Sequence, residues 1–444
     1  MEYLGLLAGL ALLIFFALRG INILFASVIC SLVVIFSNGL PVADSLMQGF
    51  ALGKLGMFSF AGKFFLLFAS GAIFGRVMGD SQAATSIAMA MLGAWGKEKV
   101  LWIAALACAL LTYGGVVVFV VIFAIYPLGL RLIQETNTPK RLFTGAVALG
   151  AGTFTMTALP GTPSIHNVLA SVGYGTDLYA GANLGIFASA VMLFGGMAYL
   201  EKQRRLAVLN GEGFVAGPND RIVDLQQAYP HWLKAIAPIL VVLVTILVPR
   251  FIDPGSNSIM QFAANQPILW PCVALMLGTG LCFVLFADIR EQHFALLGQG
   301  TQESVMPLLS TAAVIGFGGV VTQTVGFQDF IAWMAGLDLP PLLKLFTSVS
   351  LVAGITGSGS GGLQIFMQTM APAYMDLGIS HEILHRVTAI AAGGFDSLPH
   401  CGAIIAVLTI TGMSHKQGYK DMAVVTVVIP VIACLLTILL ASFM

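Results

Sequence analysis

The chain has 444 residues, of which 58% are hydrophobic and 9% are charged, and its formal net charge at pH 7 is zero. Soluble domains carry about 25% charged residues, so this composition excludes a soluble globular protein, and the zero net charge gives no reason to expect a nucleic-acid partner. The six cysteines lie inside apolar segments without metal-ligand spacing, so we expect a membrane protein that needs neither a metal nor another cofactor.

Apolar segments with the length of a membrane-spanning helix, about 20 residues, recur along the chain. The first half, residues 1–200, is predicted to contain spans at 3–18, 21–38, 58–78 and 183–200 and irregular segments at 100–130 and 142–172. A polar linker follows at 201–230. The second half, 231–444, repeats the plan with spans at 233–248, 268–286, 304–321 and 421–444 and irregular segments at 340–375 and 385–411.

Glycines interrupt two of the irregular segments. The first interruption consists of Thr112, Tyr113, Gly114 and Gly115, and the second is the run TGSGSGG at 356–362. Glycine runs break helices, and unpaired backbone is tolerated inside a membrane only where it is buried in protein or lines a cavity. We therefore predict two re-entrant hairpins, at 100–130 and 340–375, whose tips meet near the middle of the membrane.

The other two irregular segments contain proline within a polar stretch, TALPGTPSIHN at 157–167 and FDSLPHCG at 395–402. They are predicted to be broken transmembrane helices over 142–172 and 385–411. Because a hairpin returns to its own side, each half crosses the membrane an odd number of times, and the halves have opposite orientations. The sequence thus predicts an all-α inverted repeat of about ten transmembrane helices, a plan typical of secondary transporters, with the substrate site where the broken elements converge.

Positive charge predicts the orientation. Most lysines and arginines, among them Arg76, Arg204 and Arg221, fall on one predicted side of the membrane. Cytoplasmic loops carry an excess of these residues, so this side is predicted to be the cytoplasm, the linker is cytoplasmic and both termini are periplasmic or extracellular. A cysteine at position 204 should react with a reagent from the cytoplasm, and one replacing Asp253 should react from outside.

Four motifs carry a resemblance to a known family: GAGTFTMTALPGTPSIHN at 150–167, GGFDSLPHCGAI at 393–404, EILHR at 382–386 and HKQGYKD at 415–421. Through them the sequence resembles the gluconate permease (gluconate:proton symporter) family of the ion transporter superfamily over nearly its whole length. The resemblance implies proton-coupled uptake of a sugar acid or short hydroxy-acid, such as gluconate or 3-hydroxybutyrate, by a homodimer in a bacterial inner (plasma) membrane. Cys401 departs from the family pattern, which often has a polar residue there, and favours a smaller or less hydroxylated substrate.

Polar side chains at the tips and breaks are the candidate substrate ligands. Hydroxyl and amide groups beside unwound backbone, together with the N-terminus of the following half-helix, suit a carboxylate. The predicted substrate-binding residues are Thr112, Tyr113, Gly114, Gly115, Thr157, Thr162, Ser164, His166, Asn167, Ser358, Gly359, Ser360, Gly361, Ser397 and His400. Ordinary loop chemistry is the alternative for each of them, since any break contains such residues.

Asp396 is predicted to carry the coupling proton, because it is the only carboxylate well inside a predicted span. Burying a carboxylate in a membrane costs several kcal/mol unless it is paired or protonated. His400 lies four residues further on and is predicted to share the proton, with His166 at the corresponding break as the next candidate. The structural alternative is that Asp396 caps the broken helix and that the histidines hold loop backbone together.

Other readings stay open at this stage. Sodium could be the coupling ion of a carboxylate or dicarboxylate symporter, bound by backbone carbonyls at the breaks. An anion channel would need a continuous polar pore, and an intramembrane enzyme using His400 and Asp396 lacks a recognisable catalytic motif. Arg141 and Arg386, which open the broken helices, are predicted to anchor them at the membrane interface by snorkelling, with electrostatic attraction of an anion as the alternative. Tyr113 either contacts the substrate or braces its hairpin.

Overall fold

The computed structural model describes residues 2–116, 118–217, 220, 229–251 and 258–443. These residues form helices and loops without any strand, which confirms the predicted all-α class. Arg221 and the labelling position Asp253 lie outside the described residues, as do positions 218, 219 and 222–228 of the predicted linker.

In the first half, an apolar helical pair precedes a long third helix, a helical hairpin, a broken helix and a final long helix. The helices are α1 Glu2–Leu18, α2 Ile23–Ser37, α3 Val42–Asp44, α4 Met57–Asp80, α5 Ala83–Trp95, α6 Val100–Tyr113, α7 Val118–Glu135, α8 Lys140–Gly152, α9 Phe154–Thr157, α10 Ile165–Tyr174 and α11 Ala182–Leu209. A π-helical stretch, Ser45–Leu52, leads from α3 towards α4.

The second half has a similar order of elements. Its helices are α12 Trp232–Leu247, α13 Ser258–Asn265, α14 Leu269–Leu285, α15 His293–Val321, α16 Val325–Gly336, α17 Pro341–Thr356, α18 Gly359–Thr369, α19 Ala371–Met375, α20 His381–Ala392, α21 Gly402–Ile410, α22 His415–Ala423 and α23 Ile429–Ala441. A 3₁₀ turn, Phe395–Ser397, lies in the gap between α20 and α21.

Several of these helices have the length and composition of membrane spans. Within the described residues, four helical stretches qualify: Val42–Asp80, Ala182–Leu209, Ala287–Val321 and His415–Ala441. A bent pair, His381–Ser397 with Gly402–Ile410, would make a fifth and is bent by 54° at its break. Shorter apolar helices include α1, α2, α5, α12, α14 and α17, so the expected total of about ten spans stays a prediction.

Glycine geometry explains why the chain turns at both hairpin tips. Gly115 has a φ of +94° and Gly357 has a φ of +60°, values that residues with a side chain rarely adopt. After Gly357, Ser358 caps α18 by accepting a hydrogen bond from the Gly361 amide at 3.1 Å. The arms α6 and α7 pack together, as do α17 and α18, so each segment forms a pair of packed helices, and their re-entrant course in the membrane stays a prediction.

Packing between the halves brings the tips and breaks together. Helix α10, which follows the first break, packs against α18 of the second hairpin and against α20. Helix α21, which follows the second break, packs against α7 of the first hairpin. The second break also lies against α17 through its 3₁₀ turn. Each broken helix therefore meets a hairpin of the other half.

Candidate functional site

A cavity of about 510 Å³ lies where the hairpin tips and the breaks converge. Ten of the predicted site residues line it: Thr112, Gly115, Ser164, His166, Ser358, Gly359, Ser360, Asp396, Ser397 and His400. They come from all four irregular segments, which are far apart in the sequence. The convergence gives one chamber with contributions from both halves of the chain.

The rest of the wall is largely apolar. It includes Leu13, Leu67, Phe68, Leu275, Met306 and Val314, which belong to the neighbouring spans. Among the described wall residues there is no lysine or arginine. An anion in this chamber would therefore be held by hydroxyl groups, histidine and backbone amides.

Hydrogen bonds within the first break shape the start of α10. The Ser164 hydroxyl donates to the Met156 carbonyl at 2.5 Å and accepts from the Asn167 amide at 3.3 Å, which caps the helix. The Asn167 side-chain amide donates to the carbonyls of Thr162 and Leu178 at 2.9 and 2.8 Å. Asn167 thus holds the unwound backbone in place behind the cavity wall.

Helix α20 of the second half braces the same break. Arg386 has no exposed surface and donates to the backbone carbonyls of Ala158, Leu178 and Ala180 at 2.7–3.3 Å. The prediction that Arg386 anchors its helix at the membrane interface is therefore wrong. The physical reason is that unwound backbone leaves carbonyls without helical partners, and a buried guanidinium, with five N–H donors, satisfies several of them at once.

His385, beside Arg386, completes this brace. Because the Asn167 side-chain nitrogen already donates to two carbonyls, its oxygen is the acceptor for His385 Nε2, at 2.8 Å. The other ring nitrogen, Nδ1, then accepts from the Thr176 hydroxyl at 2.6 Å. Nothing in the sequence pattern distinguishes this histidine from one that binds substrate, although its place next to Arg386 in the EILHR motif draws attention to it.

Six predicted site residues are not part of the cavity wall: Tyr113, Gly114, Thr157, Thr162, Asn167 and Gly361. Tyr113 donates from its hydroxyl to the Pro160 carbonyl at 3.0 Å, so it braces the first tip against the first break. Thr157 donates to the Thr153 carbonyl at 3.1 Å, within its own short helix. These residues shape the chamber from behind.

At the second break, the two oxygens of Asp396 have different surroundings. Oδ1 accepts hydrogen bonds from the Gly394 amide at 2.9 Å and from the Ser397 hydroxyl at 3.0 Å. Oδ2 lies on the side of Gly359, where a Cβ would come within 2.5 Å of it. Asp396 therefore holds the backbone of its own break locally, without capping α21, whose N-cap residue is Cys401, and its second oxygen remains directed at the second tip.

The two histidines predicted for the site also differ. His400 donates from Nε2 to the Gly354 carbonyl at 3.0 Å and so ties the second break to α17. His166 is 3% exposed, and both of its ring nitrogens are buried without a hydrogen-bond partner among the described residues. The histidine of the first break is thus the one whose hydrogen-bonding capacity remains unused.

Four polar residues of the wall were not among the predicted site residues. Ser310 and Thr311 of α15, Thr356 at the end of α17 and Thr426 in the π-helical stretch Val424–Val428 also line the cavity. Ser310 and Thr311 follow Pro307 within an apolar span, and this interruption was the available signal. In the described part of the chain, no cluster of three or more His, Cys, Asp or Glu side chains could hold a metal ion.

The chain is similar in sequence and in fold to known transporters. The chain is 34% identical to the uncharacterized transporter YxjC of Bacillus subtilis (strain 168), with 96% of each chain covered. It is 24% identical to the gluconate permease of Pseudomonas aeruginosa, with 91% of this chain and 89% of the relative covered. In the crystal structure of the Alcanivorax borkumensis YdaH transporter, 86% of that chain matches 87% of this one with a TM-score of 0.54 and 16% identity, a likeness of fold alone.

The family match covers the entire chain. Residues 1–444 match the sequence model described as GntP family permease, which confirms the resemblance seen in the motifs at the two breaks. Permeases of this kind are membrane-embedded transporters, in agreement with the apolar helices and with a chamber formed by broken elements. The chain therefore belongs to the GntP family of permeases.

Proposed function

We propose that this permease is a proton-coupled symporter that carries a small hydroxymonocarboxylate across a bacterial inner membrane by alternating access. The observation that carries the proposal is the chamber itself, in which both tips and both breaks meet and Asp396 is the one carboxylate among the described wall residues. A carboxylate placed inside a membrane is functional by default, because its burial costs several kcal/mol unless it is paired or protonated. Binding and release of the coupling proton would explain why a carboxylate is kept at this buried position.

The carboxylate of the substrate would bind at the start of α10 and α18. Both helices begin at the chamber and are capped by serines, Ser164 and Ser358, whose side chains accept from the third amide of each helix. The remaining first-turn amides have no partner within the helix, and the helix dipoles favour negative charge there. Since no lysine or arginine belongs to the described wall, these two helix ends supply the positive potential.

The apolar part of the wall supports a lightly hydroxylated substrate such as 3-hydroxybutyrate over gluconate. Each substrate hydroxyl buried against Leu67, Phe68 or Met306 without a partner would cost about 1–3 kcal/mol. Cys401, the departure from the family pattern, is also on the wall. In competition assays on purified protein in proteoliposomes, we expect gluconate to bind at least about tenfold more weakly than 3-hydroxybutyrate. Equal or tighter gluconate binding would assign the chamber to a sugar acid instead.

Reciprocal packing supports the inverted repeat. Helix α2 of the first half packs against α15 of the second, and α14 of the second packs against α4 of the first. The contact of α10 with α18 has an equivalent in the contact of α21 with α7. Helices at equivalent places in the two halves also pack together, α4 with α15 and α11 with α23. Such an exchange of partners is what two halves related by a pseudo-twofold axis would make.

Opposite orientation of the halves has a direct test. A cysteine replacing Arg204 should react with a membrane-impermeant thiol reagent from the cytoplasmic side only. A cysteine replacing Asp338, an exposed residue between α16 and α17, should react from the outer side only. The buried native cysteines make the background of this assay low. Labelling of both sites from the same side would contradict the inverted repeat.

Coupling follows from charge. A substrate carboxylate entering the chamber brings a negative charge next to Asp396, so proton binding becomes more favourable, and linkage requires that the proton favours substrate binding equally. Asp396→Asn, which resembles the protonated acid in shape, should abolish accumulation driven by a pH gradient while impairing counterflow exchange far less. An Asp396→Asn variant that concentrates 3-hydroxybutyrate as the parent does would place the proton site elsewhere.

Sodium coupling is separated in the same assay. Accumulation should follow an imposed pH gradient, inside alkaline, and should not respond to a sodium gradient at constant pH. Accumulation that follows sodium and ignores pH would reassign the breaks as sodium sites. Recovery of chemically unchanged substrate from the vesicles excludes an enzymatic reaction, and current far above the rate of substrate uptake would indicate a channel.

A further inference from the structure

Gly359, the first residue of α18, separates two titratable side chains that belong to different halves of the protein. A Cβ built on Gly359 would come within 2.5 Å of both His166 Nε2 and Asp396 Oδ2. Two atoms that each lie within 2.5 Å of one point are at most 5.0 Å apart. The missing side chain of Gly359 is therefore what allows the imidazole and the carboxylate to approach each other.

His166 is placed to use that proximity. It is the second residue of α10, 3% exposed, and it lines the chamber. Neither ring nitrogen has a hydrogen-bond partner among the described residues. Because a buried polar group without a hydrogen bond is unfavourable, a histidine that served only to hold the fold together would be expected to bond a neighbouring group, as His385 and His400 each do.

His400 is committed elsewhere. Its Nε2 donates to the Gly354 carbonyl at 3.0 Å, and a Cβ on Gly357 would approach its ring to 2.6 Å. The ring is therefore packed against the end of α17. Among the described residues, no hydrogen bond joins His400 to Asp396, although the two are only four residues apart in the sequence. Closeness along the chain does not bring these side chains together.

The other charged and titratable groups around the pair are already engaged in hydrogen bonds or lie further away. Helices α9 and α18, which pack against α10, contain none. Helix α20 brings His385 and Arg386, both bonded to the first break, and His381, bonded to the Tyr174 carbonyl. Near Asp396, α22 contributes Tyr419, which donates to the Ser397 carbonyl, and His415, which bonds the Pro399 carbonyl. Helix α17 contains Lys344, but this residue lies in its first turn, at the end of the helix far from the tip. His400 and Cys401 complete the set on the shared wall.

We propose that His166 and Asp396, facing each other across Gly359, share the coupling proton, and that His400 is a positioning residue. The inference rests on the proposed symport function and names its proton site. Either form of the pair, imidazolium with carboxylate or imidazole with carboxylic acid, holds the same single proton, so the proton belongs to the pair. A substrate carboxylate at the start of α10 would lie beside His166 and would favour uptake of that proton. Since each half contributes one member, the proton site joins the two halves.

Glycine variants at the second tip give a matched test. Gly359→Ala places a methyl group between His166 Nε2 and Asp396 Oδ2, whereas Gly361→Ala, two residues along the same helix, meets its nearest atoms at 3.1–3.3 Å. In proteoliposomes loaded with a pH dye, 3-hydroxybutyrate entry should acidify the lumen. We expect Gly359→Ala and His166→Gln to reduce the protons taken up per substrate by about tenfold or more, with a smaller loss of counterflow exchange. Gly361→Ala and His400→Gln should keep the proton-to-substrate ratio even where transport slows.

The double variant His166→Gln/Asp396→Asn should lose no more coupling than either single variant, because the two residues would act as one unit. The proposal is overturned if His166→Gln retains the parental ratio, or if His400→Gln loses it. Should Gly359→Ala fail to yield a monodisperse protein in size-exclusion chromatography, the two histidine variants decide the matter alone. Failure of the proposed function looks different, since the parent protein itself would then take up no protons with its substrate.

Discussion

Arg141 and Arg386 stand at matching places, each within the first two turns of a broken helix, yet their surroundings are opposite. Arg141 donates to Glu212 at 2.6–2.7 Å and to Asp421 at 2.5 Å, so carboxylates neutralise it at the start of α8. Arg386 is buried and directs its hydrogen bonds at three backbone carbonyls. One arginine ties the linker and α22 to a helix end, and the other supports unwound backbone inside the protein.

The two breaks differ in which half of the chain supplies the side chains that hold them. Arg386 and His385 from the second half, with Tyr113, hold the first break. The second break is held from within its own half, by Gly354, His415 and Tyr419. Equivalent positions in two related halves therefore do not imply equivalent roles. Damage to α20 should disturb both breaks, while damage at Arg141 should mainly disturb the attachment of the linker.

The largest expected effect is that of Arg386→Met. The carbonyls of Ala158 and Ala180 would lose the donors that Arg386 supplies, at about 1–3 kcal/mol apiece, while the Leu178 carbonyl would keep its hydrogen bonds from Asn167 and the Gly161 amide. We expect a much lower unfolding temperature in detergent, or no folded protein, with partial recovery in Arg386→Lys. A thiol-reactive dye measures unfolding directly, since all six cysteines are buried. A parental unfolding temperature for Arg386→Met would show that the first break is held by other contacts.

An intermediate effect is expected for Asp220→Ala at the linker. Lys140 donates to both oxygens of Asp220 at 2.9–3.0 Å, and the two side chains are 8% and 3% exposed. Removing the carboxylate leaves a buried ammonium group without its partner, which costs about 3–5 kcal/mol in comparable buried pairs. The same unfolding assay measures it, with Asp220→Asn as the closer control. An Asp220→Ala protein as stable as the parent would mean that the contact between the linker and Lys140 adds nothing to the stability of the protein.

Acidification should reproduce part of that loss in the parent protein. Burial disfavours the charged form of Asp220, but hydrogen bonds from Lys140, the Gly217 amide and Tyr126 outweigh it and lower the pKa of the carboxyl below its ordinary value of 3.8. A depressed pKa gives stability that is fully present above the ordinary value and is lost as pH falls through the folded-state value. Unfolding temperatures measured from pH 6 downwards should therefore converge between parent and Asp220→Asn. A constant difference between the two would argue against this linkage.

The smallest effect should come from Glu212→Gln. The Arg141 guanidinium lowers the pKa of the Glu212 carboxyl, but the glutamate side chain is 40% exposed, so solvent screens the pair. Exposed ion pairs contribute about 0–1 kcal/mol, and Arg141 keeps Asp421 as a partner. A shift in unfolding temperature within about 2 °C of the parent is expected for a protein of this size. A shift as large as that of Arg386→Met would show that the ion pairs of Arg141 stabilise the protein as much as the buried hydrogen bonds of Arg386 do.

The positions of the irregular segments could be read from the sequence because glycine and proline act locally. The run TGSGSGG and the stretches around Pro160 and Pro399 cannot continue a helix whatever surrounds them. The long motifs at both breaks also carried the family, which the full-length match confirms. The roles of Arg386, Asn167 and His385 were not predictable in this way, because their hydrogen-bond partners lie in other segments of the chain.

By itself, the sequence determined the all-α membrane class, the places where helices break and the residue types gathered at those places. Only the tertiary structure decided which of those side chains reach the chamber. In a regular helix the 3.6-residue period tells which side chains share a face, but in unwound backbone no period applies. The direction of each side chain there depends on long-range packing, which places His166 beside Asp396 and leaves Asn167 and Tyr113 behind the wall.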